Sequence, residues 1–254
     1  MIVKTEAIVL KRMNYGDTSR IATLLTRDYG RISIIAKGAR TPRSRFGPVL
    51  DTLNHLQVVI YKKEGRDLHL LSQCDLLTRF PRLTSDLHVL GCAMSVLDLI
   101  SAASPYDEES RVLFGTALES LTAMDSGPDP YPVLAYFQTR LLSILGFQPD
   151  FFYCPGCKAE VDGSGTKIGV FRLTAHGIHC QRCNPVHISS VGIGTKTLSA
   201  LRLFQGMQAG WNADSCPVSD DSYAEERSVL LHLLRTHVDG VKVMKSGSVL
   251  SSIV

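Results

Sequence analysis

Ser19-Arg20-Ile21-Ala22-Thr23-Leu24-Leu25-Thr26, then Arg27-Asp28-Tyr29-Gly30, then Arg31-Ile32-Ser33-Ile34-Ile35-Ala36-Lys37 reads as two β-strands joined by a tight turn. Both runs are rich in β-branched residues, and Gly30 can take the positive φ that a short hairpin needs. Upstream, Val3 to Lys11 alternates polar with apolar and reads as a preceding strand, ended by the turn residues Asn14-Tyr15-Gly16-Asp17. Downstream, Gly38 to Leu53 holds three arginines, two prolines and two glycines and reads as a long loop. Strands resume at His55 to Lys62 and, after the turn Lys63-Glu64-Gly65-Arg66, at Asp67 to Cys74. Five strands without a helical crossover predict a small antiparallel barrel, whose closure removes exposed strand edges.

Beyond Pro81 the hydrophobic period changes to that of helices. Leu83, Leu87, Leu90, Met94, Leu97 and Ile100 are spaced to cover one helix face. Further helices are predicted over Glu108 to Met124, Tyr131 to Leu145 (with Leu134, Phe137, Leu141 and Leu145 in a stripe), Thr195 to Met207 and Tyr223 to Val238. From Phe151 to Val191 the periodicity is lost and Gly, Cys and His accumulate, as where a metal organises the backbone. The tail from Val241 to Val254 gives no assignable pattern. The expected class is α+β: a barrel over residues 1–80, then a mainly helical domain over residues 81–254 carrying a metal segment at about 150–192.

That segment holds Cys154-Pro155-Gly156-Cys157 and Cys180-Gln181-Arg182-Cys183. Each Cys-x-x-Cys knuckle aims two sulfurs at one ion, and two knuckles complete a tetrahedron around Zn2+. An intervening hairpin accommodates the long gap between them. Four thiolates leave no open position on the metal, so the expected role is structural. His176, His179 and His187 are the alternative ligands nearby, with surface or loop positions the more ordinary reading. Cys74, Cys92 and Cys216 stand alone and read as inert thiols.

The chain has 254 residues, 44% hydrophobic, and a formal net charge of +3. Residues 1–82 carry fifteen Lys/Arg against seven acids, leaving twelve against seventeen for the remainder. The basic loop Lys37-Gly38-Ala39-Arg40-Thr41-Pro42-Arg43-Ser44-Arg45-Phe46, with Arg20, Arg27 and Arg31 from neighbouring strands, is the candidate nucleic-acid contact. Guanidinium forks match phosphate oxygens, and loops of small barrels track single strands. Tyr15, Tyr29, Phe46 and Tyr61 are the aromatics available, each able to stack on a base or to fill the barrel. No glycine-rich phosphate loop, His-Glu-x-x-His, Gly-x-Ser-x-Gly or paired-carboxylate motif occurs, so a non-enzyme is expected. The amino terminus lacks a secretory apolar core and no stretch is long enough to span a membrane, which points to the cytoplasm.

The chain resembles the bacterial DNA repair and recombination family RecO. The resemblance lies in Glu6-Ala7-Ile8-Val9-Leu10, Gly16-Asp17, Thr23-Leu24-Leu25-Thr26 with Gly30-Arg31, and above all Ala36-Lys37-Gly38-Ala39-Arg40, with Phe46-Gly47 and Leu50 beyond. Leu141-Leu142-Ser143-Ile144-Leu145-Gly146-Phe147, the cysteine pairs, Lys245-Ser246 and Val249-Leu250 continue it. It implies an OB-fold barrel, then a helical domain with the zinc segment inserted. It also implies annealing of single-stranded DNA, binding of duplex DNA as well, and help to RecA in replacing single-stranded DNA-binding protein, with RecR as partner. DNA contact then falls on Lys37, Arg40 and the neighbouring arginines, and the metal role on the four paired cysteines. The acidic carboxyl tail of single-stranded DNA-binding protein would dock on the helical domain, where Arg140 is the candidate. The alternative is a zinc-stabilised protein-interaction adaptor whose DNA binding is incidental.

Overall fold

The computed structural model describes residues 1–104, 110–147, 149–161, 170–174, 176–183, 190–208, 210–216 and 223–243. The chain divides into two compact units, whose described residues fall within Met1–Ser126 and Gly127–Met244.

The first unit opens with β1 (Ile2–Tyr15), β2 (Ser19–Thr26), β3 (Gly30–Ala36), β4 (His55–Tyr61) and β5 (Leu68–Thr78), closed into a barrel in the order β1-β2-β3-β5-β4. Strand β1 serves two neighbours: its first half pairs with β4, from Ile2↔Tyr61 to Ile8↔His55, and its second half pairs with β2 out to Tyr15↔Ser19. A bulge between Val9 and Lys11 turns the strand from one partner to the other. The β2–β3 hairpin turns at Gly30 (φ 62), where the Thr26 hydroxyl donates to the Gly30 carbonyl oxygen at 2.8 Å.

The expectation of an antiparallel barrel needs one correction. Ladder β3–β5 is parallel, with Ser33↔Leu68, Ile34↔His69 and Ile35↔Leu70 as partners. Parity is the reason: strands that alternate in direction around a ring must be even in number, so five leave one parallel pair.

Inward-facing Val9, Leu24, Ile32, Ile34, Leu56, Val58 and Ile60 fill the barrel, joined by Ala39 and Leu50 from the loop between β3 and β4. That loop is therefore anchored at two buried points and is not a free tether. Complete burial of a residue such as Leu50 contributes about 1.5–3 kcal/mol.

Three helices complete this unit: α1 (Pro81–Ser85), α2 (Leu87–Ala103) and α3 (Arg111–Ser126). The single helix expected from Leu83 onward is interrupted. Asp86 adopts an extended backbone, and its carboxylate accepts from His88 N and Val89 N at 2.9 and 3.3 Å, capping α2. The cap resets the helical phase. The buried face of α2 accordingly holds Val89, Cys92, Val96, Leu97 and Ile100, while Leu87 is 61% exposed. Helix α3 docks on the barrel through Arg111–Asp28 (3.1 Å) and Phe114 against the His55 ring.

The second unit packs α4 (Tyr131–Ile144) against α5 (Thr195–Gly206) and α6 (Tyr223–His237). Leu134, Phe137 and Leu141 are buried as the sequence predicts. Between α4 and α5 lies an antiparallel sheet of β6 (Val170–Thr174), β7 (Gly177–His179) and β8 (Val191–Gly194), in the order β7-β6-β8. Among the described residues no helix is long and apolar enough to cross a membrane.

Candidate nucleic-acid interface and metal centre

The sequence treats the barrel cations alike, but the structure separates them into two groups. Arg20 on β2 donates through Nη1 to the Gly47 carbonyl oxygen at 2.6 Å. Arg40 donates through Nη1 to the Gly16 carbonyl oxygen at 2.8 Å, and its backbone N–H donates to Thr18 O at 2.9 Å. These two arginines tie the loop over residues 37–54 to β2 and to the turn between β1 and β2. Arg31 donates to the Ser101 carbonyl oxygen on α2. Arg27 forms an ion pair with Glu6 at 2.9 Å, on a surface where such a pair contributes about 1 kcal/mol at most.

The second group is Lys37, Arg43 and Arg45. All three are exposed and have no protein partner among the described residues. Carbonyl bonds leave the charges of Arg20 and Arg40 uncompensated, so the field around the loop stays positive even where the forks are occupied. Of the seven predicted contacts, three project freely, Arg20 and Arg40 brace the loop while keeping their charge, Arg31 is bound to α2, and Arg27 is neutralised.

The loop holds its shape through short-range bonds. Ser44 Oγ accepts from Phe46 N (3.1 Å) and Gly47 N (3.3 Å), and Phe46 packs on the barrel core. Gly47 lies so close to the Ala39 carbonyl that a Cβ there would approach its oxygen to 2.7 Å. Arg43 and Arg45 thus leave a fixed backbone, which lowers the ordering cost of gripping a phosphate chain. Of the four aromatics, Tyr29 and Phe46 pack against the core, whereas Tyr15 and Tyr61 are 53% and 42% exposed.

One basic element escaped the sequence reading. Of the segment Lys63-Glu64-Gly65-Arg66, taken there only as a turn, Lys63, Gly65 and Arg66 border an open groove with Lys37, Tyr61 and Leu70. The signal available was the pair of basic residues flanking the turn.

In the second unit, Cys154, Cys157, Cys180 and Cys183 bring their sulfurs within 4.8 Å of one another, with Cys157 and Cys180 3.6 Å apart. Sulfurs on a tetrahedral zinc stand about 3.8 Å apart, given Zn–S bonds of about 2.3 Å. The first knuckle closes through Lys158 N to Cys154 O (2.8 Å) and Cys154 N to Ala159 O (2.9 Å), the second through Cys183 N to Cys180 O (3.1 Å). The hairpin of β6 and β7 lies between them, as the length of the gap requires.

Gly156 faces Cys183 so closely that a Cβ would lie 3.3 Å from its sulfur. Arg202 on α5 fixes the first knuckle, donating from Nε to Phe151 O at 2.8 Å while its guanidinium lies over the Phe152 ring.

Burial pushes the Cys154 thiol up, but backbone N–H donors of Cys180, Cys157 and Gly156 outweigh it and bring it down to about 6. The backbone of Cys183 likewise lowers Cys180, while sharing protons with Cys157 and Cys180 pushes Cys183 up to about 12. Such a cluster is part thiolate and part thiol, and a divalent cation would displace the remaining protons. The four residues therefore fit a metal ion. Among the described residues no histidine belongs to the cluster, although His176 and His179 lie nearby in the chain; His187 lies outside the described residues.

Burial pushes Cys74 up to about 12 and Cys216 to about 11, the state of unreactive thiols. Arg140 on α4 donates through Nη1 to Gln208 Oε1 at 2.8 Å.

Comparison with known proteins matches two family models, "Recombination protein O N terminal" over residues 1–80 and "Recombination protein O C terminal" over residues 84–246. Proteins named DNA repair protein RecO are similar. That of Bacillus subtilis is 31% identical over 80% of this chain and 77% of its own length. That of Syntrophus aciditrophicus is 29% identical over 98% and 95%. That of Chlorobaculum parvum is 39% identical over 65% of this chain and 64% of its own length. With matching models spanning both ends of the fold, the chain belongs to the RecO family of DNA repair and recombination proteins.

Proposed function

We propose that this chain is a recombination mediator that binds single-stranded DNA, anneals complementary strands and, with RecR, helps RecA replace single-stranded DNA-binding protein. The observation that carries the reading is the anchored loop with Lys37, Arg43 and Arg45 exposed and unpartnered among the described residues. Cations on such a loop neutralise phosphates, lowering the repulsion between two strands until their bases pair. The mechanism is binding, with no bond chemistry assigned to the protein.

Residues 1–80 would act as the DNA-binding barrel and residues 81–254 as the helical domain, a division supported by the spans of the two family models. Zn2+ is the proposed ion for the cysteine cluster, with a structural role. Arg140 keeps its charge beside its Gln208 bond and is the proposed contact for the acidic tail of single-stranded DNA-binding protein. Duplex DNA would bind the same cations, and the setting would be the cytoplasm at sites of repair.

The test is annealing of two labelled complementary strands, bare and then coated with single-stranded DNA-binding protein, with Arg43→Ala/Arg45→Ala as the control. With Lys37, Arg40, Arg43 and Arg45 engaged, the loop should contribute about −2.8 to the log–log salt slope of single-strand affinity. The double variant should make the slope shallower by about 1.4 and lose the acceleration. If the wild-type protein does not accelerate annealing, the adaptor becomes the better account.

A further inference from the structure

On the outer wall of the barrel, Ile35, Leu70 and Tyr61 form one row across three strands. Ile35 is the register partner of Leu70 in the β3–β5 ladder, and Tyr61 is the partner of Leu70 in the β4–β5 ladder. Outward positions on a strand ordinarily carry polar side chains. Here the row is apolar, Leu68 extends it, and Tyr61 and Leu68 are 42% and 38% exposed. The row floors a groove of about 840 Å³.

Three cations border that floor: Lys37 at the end of β3, and Lys63 and Arg66 on the turn between β4 and β5. All are exposed, without a protein partner among the described residues, and Asp67 is the single acid lining the groove.

We propose that this groove is a base-accepting subsite for single-stranded nucleic acid, in which a base lies on the Tyr61 ring while Lys37, Lys63 and Arg66 hold the flanking phosphates. The proposal rests on the single-strand binding put forward above and adds to it a place for the bases. Two observations favour this occupant. The excess of cations suits a polyanion, and an exposed aromatic beside cations is the arrangement that takes stacked bases without regard to sequence. Lys37 also begins the basic loop that carries Arg43 and Arg45, so the groove and the loop share a cation. The loop provides charge, and the groove recognises that the strand is unpaired.

The test uses the full chain and two probes of equal length: an oligothymidylate and an abasic sugar–phosphate strand with the same charge. Wild-type protein should prefer the oligothymidylate at least about fivefold, the gain from one stacked base. Tyr61→Ala should reduce that preference to about one without changing affinity for the abasic strand. Tyr61→Phe should retain it, and circular dichroism should show all three proteins equally folded. Lys63→Ala and Arg66→Ala should weaken both probes and each make the salt slope shallower by about 0.7. A wild-type preference of one, as a groove built for an acidic peptide would give, overturns the proposal, as does a preference that survives Tyr61→Ala. In either case, loss of binding in Arg43→Ala/Arg45→Ala would leave the loop reading standing. No binding of either probe by wild type would remove both.

Discussion

A methyl group at Gly47 would meet the Ala39 carbonyl oxygen at 2.7 Å, and both residues belong to the loop that presents Arg43 and Arg45. Backbone cannot step aside as a side-chain tip can. Gly47→Ala is therefore expected to cost about 1–3 kcal/mol, seen as a lower melting temperature, and to weaken single-strand affinity by displacing the loop arginines. An unchanged melting temperature would mean that the loop relaxes freely.

At this scale the sequence identifies residue types but not their neighbours. That Arg20 and Arg40 brace carbonyl groups while Arg43 and Arg45 project depends on Gly47 and Gly16 arriving from elsewhere in the chain. Nothing in Tyr29 or Tyr61 alone distinguishes them either. The difference lies in placement: Tyr29 stands in the turn between β2 and β3 and packs against the core, whereas strand phase carries Tyr61 outward. The metal cluster was the opposite case, because its Cys-x-x-Cys spacing already fixes which sulfurs converge.

Among the elements, Asp86 has the most distinct local role. The apolar period of the sequence runs across it without a break, yet its cap separates α1 from α2. Asp86→Ala removes the acceptor for His88 N and Val89 N and should cost about 1 kcal/mol, lowering the melting temperature by a few degrees. Asp86→Asn or Asp86→Ser should restore most of it, whereas equal loss in all three variants would speak against capping. The strands were legible to within a few residues because alternation and turn chemistry are local. The parallel β3–β5 ladder is a property of ring closure, so it follows from the number of strands and from no single segment.

For the whole molecule, the basic loop and the cysteine cluster belong to different compact units. The Zn2+ proposed for the cluster should be lost on chelation or in Cys154→Ser, and the cysteine segment should then become open to protease. Single-strand affinity should change less than about twofold, since the loop cations retain their own anchors. A parallel loss of DNA binding would assign the metal more than a local structural role. The charge asymmetry was readable from composition, because summing charges requires no coordinates. The partition at Ser126 was not, because it depends on α1, α2 and α3 joining the barrel. The closed ring also governs the protein's birth on the ribosome. Strand β5 is the last barrel strand to be synthesised, and it alone seals the gap between β3 and β4. Until Thr78 has left the exit tunnel, the nascent chain carries two unsatisfied edges, so a premature stop in that interval releases an adhesive, open sheet of four strands instead of a smaller stable domain.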